Sequence, residues 1–351
     1  MARKRKTLPD DIEEIIRSGD MERFKAVFDK CEIGATVRGR TSSNVLSFFG
    51  LTLDHVKFLV ETGIDLNTDS GWGFSSVYHL ANDAEILRYI LDNGADIEYK
   101  ESGNHSFGTA LFGCAAGHRA QAVENLLAFG ADPEPRGGWN DATALDESLM
   151  TCSPASMVSM LRIARALLAA GAKPSDKTKG YVTKIGRDFE FYRDSFDPET
   201  VDEHSAALDE LYKLFDVEPV PRREKYDGKT RITVKSRVWH KQQAELWDML
   251  VPGNGHANTV QGEVIRICGR VAYELLDNGG INWDEEYRKM IKALPGYFRM
   301  ADGKEAEKAC EAAKISSQSD KNEIYLLTEL AVKWVLANPD PIPLEDVDYS
   351  R

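Results

Sequence analysis

A short apolar segment that ends in a glycine recurs along the first half of this 351-residue chain. The copies close at Gly63, Gly94, Gly130 and Gly171, at intervals of 31, 36 and 41 residues. Glycine just after an apolar helix is typical of a left-handed C-cap, which is least costly for a residue without a Cβ. One short helix pair cannot bury its apolar face alone, so consecutive copies have to stack. The repeat therefore predicts a solenoid of helix pairs.

Each copy also opens in a similar way, with a Ser or Thr that precedes apolar residues. Such a hydroxyl caps a helix by accepting a hydrogen bond from its first free N–H groups. The closing pattern Leu-Leu-x-x-Gly-Ala-Asp is complete from Leu126 to Asp132. Among the four openings, only one has histidine in the fourth position, at His79. None of them has proline in the second position. The openings are Ser43-Asn-Val-Leu, Ser76-Val-Tyr-His, Thr109-Ala-Leu-Phe and Thr143-Ala-Leu-Asp.

In these features, the chain resembles the ankyrin repeat over residues 8–178, about half of its length. The resemblance implies about five stacked helix pairs. It also implies loops near residues 37, 70, 103 and 138 that project from one side as fingers. Because ankyrin-like arrays are binding surfaces, the resemblance finally implies that this protein binds another protein.

Two tryptophans lie at the same phase of the repeat, on the fingers. Trp72 and Trp139 each lie nine residues beyond a repeat glycine and next to further glycines. Either the indoles pack on neighbouring fingers, or they are exposed anchors of the kind enriched at binding hot spots. We predict a partner-binding edge that these two residues share with six others: Arg38, Arg40, Tyr99, Lys100, His105 and Arg136.

The formal net charge is -13, and acidic and basic residues separate in the middle of the chain. Residues 188–218 hold 11 acids and 2 bases, whereas residues 219–241 hold 8 bases and 2 acids. This order predicts a charged connector over residues 179–237. Either the acidic and the basic segment face each other, or the basic segment contacts an anionic partner. The acidic total, with a pI of 5.1, favours a protein partner with a basic surface and disfavours nucleic acid.

The second half is predicted as a small helical domain over residues 238–340. Residues 1–7 and 341–351 are predicted as a basic and an acidic tail. An Asn-x-x-Gln capping box at Asn258 opens an amphipathic helix that runs through Leu276. The polar side of this helix is either a solvated face or a second anion-binding or partner-binding surface. Its members are Glu263, Arg266, Arg270 and Tyr273.

Motifs for catalysis and for metal or cofactor binding are absent from the sequence. There is no glycine-rich phosphate loop, no His-Glu-x-x-His and no Gly-x-Ser-x-Gly. The 7 histidines lack metal-ligand spacing, and the 5 cysteines include no Cys-x-x-Cys. We therefore predict no catalytic residue, no metal and no cofactor. His240 and His256 lie near Glu245 and Glu263, which leaves an acid–base pair open as an alternative.

The sequence thus predicts a mainly α protein, an ankyrin-repeat solenoid followed by a small helical domain, that acts as an interaction module or adaptor. One alternative is an antitoxin or immunity protein that neutralises a basic toxin such as a nuclease. Another is an enzyme in the helical domain. No apolar stretch reaches about 18 residues, so no membrane span is expected. The basic start lacks the apolar segment of a signal peptide, so we expect a cytoplasmic protein.

Overall fold

The structure is a computed structural model that describes residues 3–39, 43–69, 73–100, 108–138, 140–301 and 304–350. Two compact units make up the chain. The first, here called the array, comprises Met1–Asp188 and Pro198–Val220. The second, here called the bundle, comprises Phe189–Asp197 and Pro221–Arg351. Helices predominate in both units, which confirms the predicted mainly α class.

Helices of the array occur in pairs along the predicted repeats. Their bounds are α1 Ile12–Ser18, α2 Met21–Lys30, α3 Leu53–Glu61, α4 Ser76–Leu80, α5 Ala84–Asp92, α6 Ala110–Ala116, α7 Ala120–Ala128, α8 Ala144–Met150 and α9 Met157–Ala169. A 3-10 turn, Val45–Ser47, takes the place of a helix before α3. Counterpart helices pack on each other, α4 on α6, α6 on α8 and α7 on α9. The described parts of residues 8–178 thus form four helix pairs and one unit in which the 3-10 turn takes the place of the first helix, and stacking buries their apolar stripes.

The repeat glycines end the second helix of four pairs. Gly63, Gly94, Gly130 and Gly171 have φ angles of 92°, 95°, 91° and 105°. Apart from each glycine itself and its two chain neighbours, no heavy atom of the described residues lies within 4 Å of the position that a Cβ would take there. Glycine is therefore required at these positions because the backbone is left-handed there, and not because a side chain would be crowded.

Short strands accompany the helices of the array. β1 Arg5–Thr7 runs parallel to β2 Cys31–Thr36. β3 Arg136–Gly137 pairs with β4 Ala142–Thr143 in an antiparallel hairpin at the fourth finger. The described end of the predicted basic tail, residues 1–7, is therefore part of a two-stranded sheet, because the backbone of Arg5–Thr7 pairs with β2.

Much of the predicted connector is folded. It contains α10 Thr178–Tyr192 and α11 Pro198–Phe215, and α11 packs on α9. The segregated charges predicted a connector, but the same segment also carries apolar side chains at helical spacing that become buried. Residues 217–238 contain no helix or strand. The buried apolar side chains of the two helices are Val182, Ile185, Phe189, Ala207, Leu208, Leu211, Tyr212 and Phe215.

The bundle is built around one central helix. Its helices are α12 Trp239–Leu250, α13 Val260–Ala272, α14 Glu285–Phe298, α15 Lys304–Ala312 and α16 Lys321–Ala337. Because α13 packs against α12, α14 and α16, its side chains are enclosed on several sides. A π-helical turn, Tyr273–Asp277, follows it. None of the described helices of either unit is long and apolar enough to cross a membrane.

The predicted acidic tail, residues 341–351, packs on the bundle. The Val260 amide donates a hydrogen bond to the Ile342 carbonyl at 2.8 Å. Further along, the Tyr349 side chain is only 4% exposed. Backbone pairing and one buried phenol therefore hold the described part of this predicted tail against α13.

Candidate functional site

The predicted finger edge is partly described by the structure. Arg38, Lys100 and Arg136 are exposed, and Tyr99 is half-buried. These four residues belong to different fingers of the array, apart from Tyr99 and Lys100, which are neighbours in the chain. The other four predicted residues lie outside the described part of the chain: Arg40, Trp72, His105 and Trp139.

Arg136 stabilises its own finger. Its Nε donates to Asp141 Oδ2 at 3.0 Å, and its Nη2 donates to the Asp141 carbonyl at 2.6 Å. Asp141 has a φ of 47°, so the hairpin tip turns through the left-handed region. The Arg136 guanidinium therefore stabilises the backbone conformation at Asp141, and the arginine side chain itself stays exposed.

Arg38 lies in the first finger and lines a groove of about 530 Å³. The groove also contains Phe49, whose side chain is 84% exposed, and the half-buried Phe48. Pro9 and Asp10 form part of its wall. An exposed phenylalanine beside a cation is an arrangement that protein interfaces use. The sequence does not single out Phe49, because this residue follows a repeat opening and does not recur at the same position in the other repeats.

Acidic and amide side chains after the repeat glycines form a ladder between neighbouring repeats. The Asn67 side-chain oxygen accepts from the Asp96 amide at 2.7 Å. One repeat on, Glu98 accepts from the Asp132 amide at 2.7 Å. Glu134 continues the series by accepting from the Lys173 amide. These three side chains therefore connect neighbouring repeats. Two of the hydrogen bonds stabilise the turns at the repeat aspartates Asp96 and Asp132.

Two aromatic rings cover α6 near the second finger. Phe74 stacks on Tyr78, with ring centroids 3.9 Å apart and planes at 15°. A Cβ at Gly113 would lie 2.3 Å from the Phe74 ring, so only glycine allows this approach. The Arg119 guanidinium lies over the Tyr78 ring at 4.7 Å. Both rings stay partly accessible and extend the surface beside the fingers.

The predicted second surface on α13 is wrong for two of its four residues. Glu263 and Arg266 have no exposed side-chain area and form an ion pair at 2.5 Å. They therefore cannot belong to a solvated face or a partner surface. Packing of α13 on three other helices encloses this side, which an amphipathic pattern does not reveal. Arg270 and Tyr273 are more accessible, at half-buried and exposed positions.

The Glu263 carboxylate is the centre of a buried polar cluster. Arg266 donates to it twice, and the Ala257 amide donates at 3.0 Å. The Tyr349 hydroxyl donates at 2.9 Å and also lies 2.7 Å from the Tyr297 hydroxyl. Among the described residues, Nη1 of Arg266 has no hydrogen-bond partner. The cluster ties the end of the chain to α13.

Burial and hydrogen bonds act in opposite directions on Glu263. Burial raises the pKa of its carboxyl group, but hydrogen bonds and the charge of Arg266 outweigh this effect. The pKa of Glu263 therefore lies below its usual range, and the group is ionised at neutral pH. Burial and the negative charge of Glu263 raise the pKa of Tyr349, which stays a hydrogen-bond donor.

His256 touches the same cluster. Its Nδ1 lies 3.0 Å from Arg266 Nη2, and because a guanidinium can only donate, Nδ1 is the acceptor in this contact. The distance from Nδ1 to Glu263 Oε1 is 3.4 Å. Glu245, by contrast, accepts from the backbone amides of Lys235 and Ser236. The structure therefore brings together one of the two His–Glu pairs considered from sequence, and uses it within a structural cluster.

In the described ranges, no group of three or more His, Cys, Asp or Glu side chains is placed to hold a metal ion.

The array stacks short helix pairs with glycine caps and an inter-repeat ladder, the features for which the sequence resembles the ankyrin repeat. No protein-family model matches the chain, and no curated protein matches it. A solved ankyrin repeat domain from Acinetobacter baumannii AYE is similar at 21% identity and a TM-score of 0.38. The match covers 58% of this chain and 97% of that one. At this TM-score, the superposition does not define the fold, and the likeness rests on the features of the array itself.

Proposed function

We propose that the protein binds a protein partner along the finger edge of the array. The groove of the first finger carries this proposal, because Arg38 and the 84% exposed Phe49 line it together. A large aromatic side chain exposed to this degree gains free energy when a partner buries it. A guanidinium nearby supplies the polar contact that surrounds such anchors in interfaces.

Further fingers provide the rest of the proposed surface. Lys100 and Arg136 are exposed on the third and fourth fingers, where they supply a polar rim. In this proposal, Trp72 and Trp139 are aromatic anchors at the second and fourth fingers. Their common phase in the repeat supports this role.

Neutralisation of a basic toxin, such as a nuclease, is a finer form of the same proposal. The net charge of -13 supports it, since a cationic partner would be attracted and would associate faster. The exposed bases Arg38, Lys100 and Arg136 act against such a partner locally. The adaptor role is therefore the form that we favour, and an association rate that falls with added salt would favour the toxin partner.

The test begins with the full-length protein as bait and quantifies the affinity of each partner that it captures. Replacing Trp72, Trp139 or Phe49 by Ala should weaken binding by about 2 kcal/mol, roughly 30-fold, if each anchors a buried contact. Arg288→Gln, at an exposed position in the bundle outside both predicted surfaces, is the control and should leave the affinity unchanged. Unchanged affinity in all three array variants would overturn the proposal.

Melting temperatures separate the two roles of the tryptophans. An indole that packs on a neighbouring finger would lower the melting temperature when it is removed. An indole that anchors a partner would leave the melting temperature unchanged and reduce only the affinity.

An enzyme in the bundle is the second candidate, and the contact of His256 with Glu263 is the observation that favours it. Four hydrogen bonds from Arg266, Ala257 and Tyr349 already occupy that carboxylate, so it has little capacity to act as a base. If the full-length protein converts a substrate and His256→Ala abolishes that activity, the result would support catalysis. Equal activity in the wild type and in His256→Ala would show that His256 is not catalytic.

A further inference from the structure

A second groove, in the bundle, is independent of the proposed partner binding. Its volume is about 480 Å³, which falls in the range of small-molecule sites. The end of α10, the helices α12, α13 and α14, and the loop around Gly253 supply its walls. Aromatic side chains dominate the lining: Phe191, Tyr192, Trp247, Tyr273 and Tyr287.

Among the described residues that line this groove, Arg270 is the only charged one. Its guanidinium is half-buried and makes no ion pair or hydrogen bond within the described part of the chain. The nearby carboxylate of Glu263 is already paired with Arg266, one turn away on α13. Burial, followed by repulsion from Arg266, lowers the pKa of Arg270. A half-buried cation without a counter-ion favours the entry of an anion.

The aromatic walls keep flat surfaces accessible next to this cation. Tyr192 is 44% and Tyr273 62% exposed. Trp247 lies against α13 because Gly269, the residue before Arg270, has no side chain; a Cβ there would lie 2.3 Å from the indole. Phe191 stacks parallel to Trp247 at 6.0 Å. Accessible ring faces beside a guanidinium suit a ligand that is both planar and anionic.

We propose that this groove binds a small aromatic carboxylate, with the carboxylate on Arg270 and the ring against the tyrosines. A guanidinium matches one carboxylate through two parallel hydrogen bonds. A polyphosphate would need further cations, and the described lining residues supply none. The class of ligand is therefore a monoanion with one aromatic ring, the smallest molecule that uses both features of the groove.

The experiment titrates the full-length protein with three probes, using calorimetry or ligand-observed NMR. 3-Phenylpropionate has both the ring and the charge, 3-phenylpropanamide lacks the charge, and propionate lacks the ring. We expect 3-phenylpropionate to bind with a Kd on the order of 1 mM, and at least about tenfold more tightly than the other two. Equal binding of acid and amide, or no binding of 3-phenylpropionate, would overturn the proposal.

Variants assign the binding to the groove. Arg270→Gln should abolish the preference for the acid over the amide. Arg288→Gln, which removes an exposed arginine on α14 outside the groove, should keep it. Tyr273→Ala changes an exposed side chain, and therefore tests the site even if Arg270→Gln fails to fold. Tyr273→Ala should weaken 3-phenylpropionate binding about tenfold, and an unchanged Kd would contradict the proposed site.

Phenyl phosphate tests the class of anion. The single cation predicts that it binds no more tightly than 3-phenylpropionate, and tighter binding would overturn the assignment to carboxylates. Trp72→Ala should leave all probe affinities unchanged, so that failure of this proposal and failure of the array proposal give different results.

Discussion

The array and the bundle use polar side chains in opposite ways. In the array, Asn67, Glu98 and Glu134 make the same contact once per repeat, near the surface. In the bundle, Glu263 and Arg266 form one ion pair without any exposure. Stability in a repeat array is spread over many small interface contributions, whereas an enclosed ion pair concentrates it at one place. The comparison teaches that a single substitution should have a local effect in the array and a general effect in the bundle.

The largest expected effect is on the buried ion pair. Arg266→Met leaves the Glu263 carboxylate buried without its counter-ion, and should lower the free energy of unfolding of the bundle by about 3–5 kcal/mol. Urea denaturation monitored by circular dichroism measures this change.

A surface pair of the array is the matched control. Arg162 lies 2.6 Å from Glu124, and their side chains are 48% and 35% exposed. Arg162→Met should therefore cost only about 0.5 kcal/mol. Similar losses in the two variants would remove the contrast between the units.

The next effect concerns a backbone requirement of the array. Gly94 has a φ of 95°, so Gly94→Ala should lower the free energy of unfolding by about 1–2 kcal/mol. Gly180 is the control because it lies in α10 and nothing lies within 4 Å of its Cβ position among the described residues. Gly180→Ala should stabilise the protein by about 0.5 kcal/mol, since alanine is the better helix former. Destabilisation by both changes would argue against the left-handed cap as the cause.

A smaller effect is expected from one contact of the ladder. Glu98→Ala removes the acceptor of the Asp132 amide and should lower the free energy of unfolding by about 1 kcal/mol. Glu98→Gln keeps an oxygen acceptor and should retain most of the stability. Equal losses in the two variants would show that charge, rather than the hydrogen bond, matters at this position.

The smallest effect is a pH dependence of stability below pH 4.5. The pKa of Glu263 lies below its ordinary value of 4.5, because hydrogen bonds and the charge of Arg266 outweigh burial. Its contribution to stability is therefore fully present above pH 4.5 and is lost as the pH falls through the folded-state pKa. The stability difference between wild type and Glu263→Gln should stay constant above that value and shrink below it. A difference that grows in acid would contradict this sign.

Local patterns were enough to predict the array. The left-handed φ angle depends only on the few residues around each repeat glycine, so it can be predicted from the sequence. The four glycines are Gly63, Gly94, Gly130 and Gly171. The same holds for the hydroxyl caps at Thr109 and Thr143, whose side chains accept from nearby amides. The mainly α class follows from such features. The finger edge stays a prediction, with Arg38, Lys100 and Arg136 found exposed.

Only the tertiary structure decided what happens where distant segments meet. Periodicity placed Glu263 and Arg266 on the polar side of α13, but it could not show that other helices and Tyr349, 86 residues beyond Glu263, enclose them. Burial is a property of neighbours that come from elsewhere in the chain, and one helix carries no record of them. For the same reason, the charges of residues 188–218 concealed an apolar stripe that packs in the fold. The sequence by itself thus determined the local conformation of each repeat, whereas the packing determined which polar groups became core and which became surface.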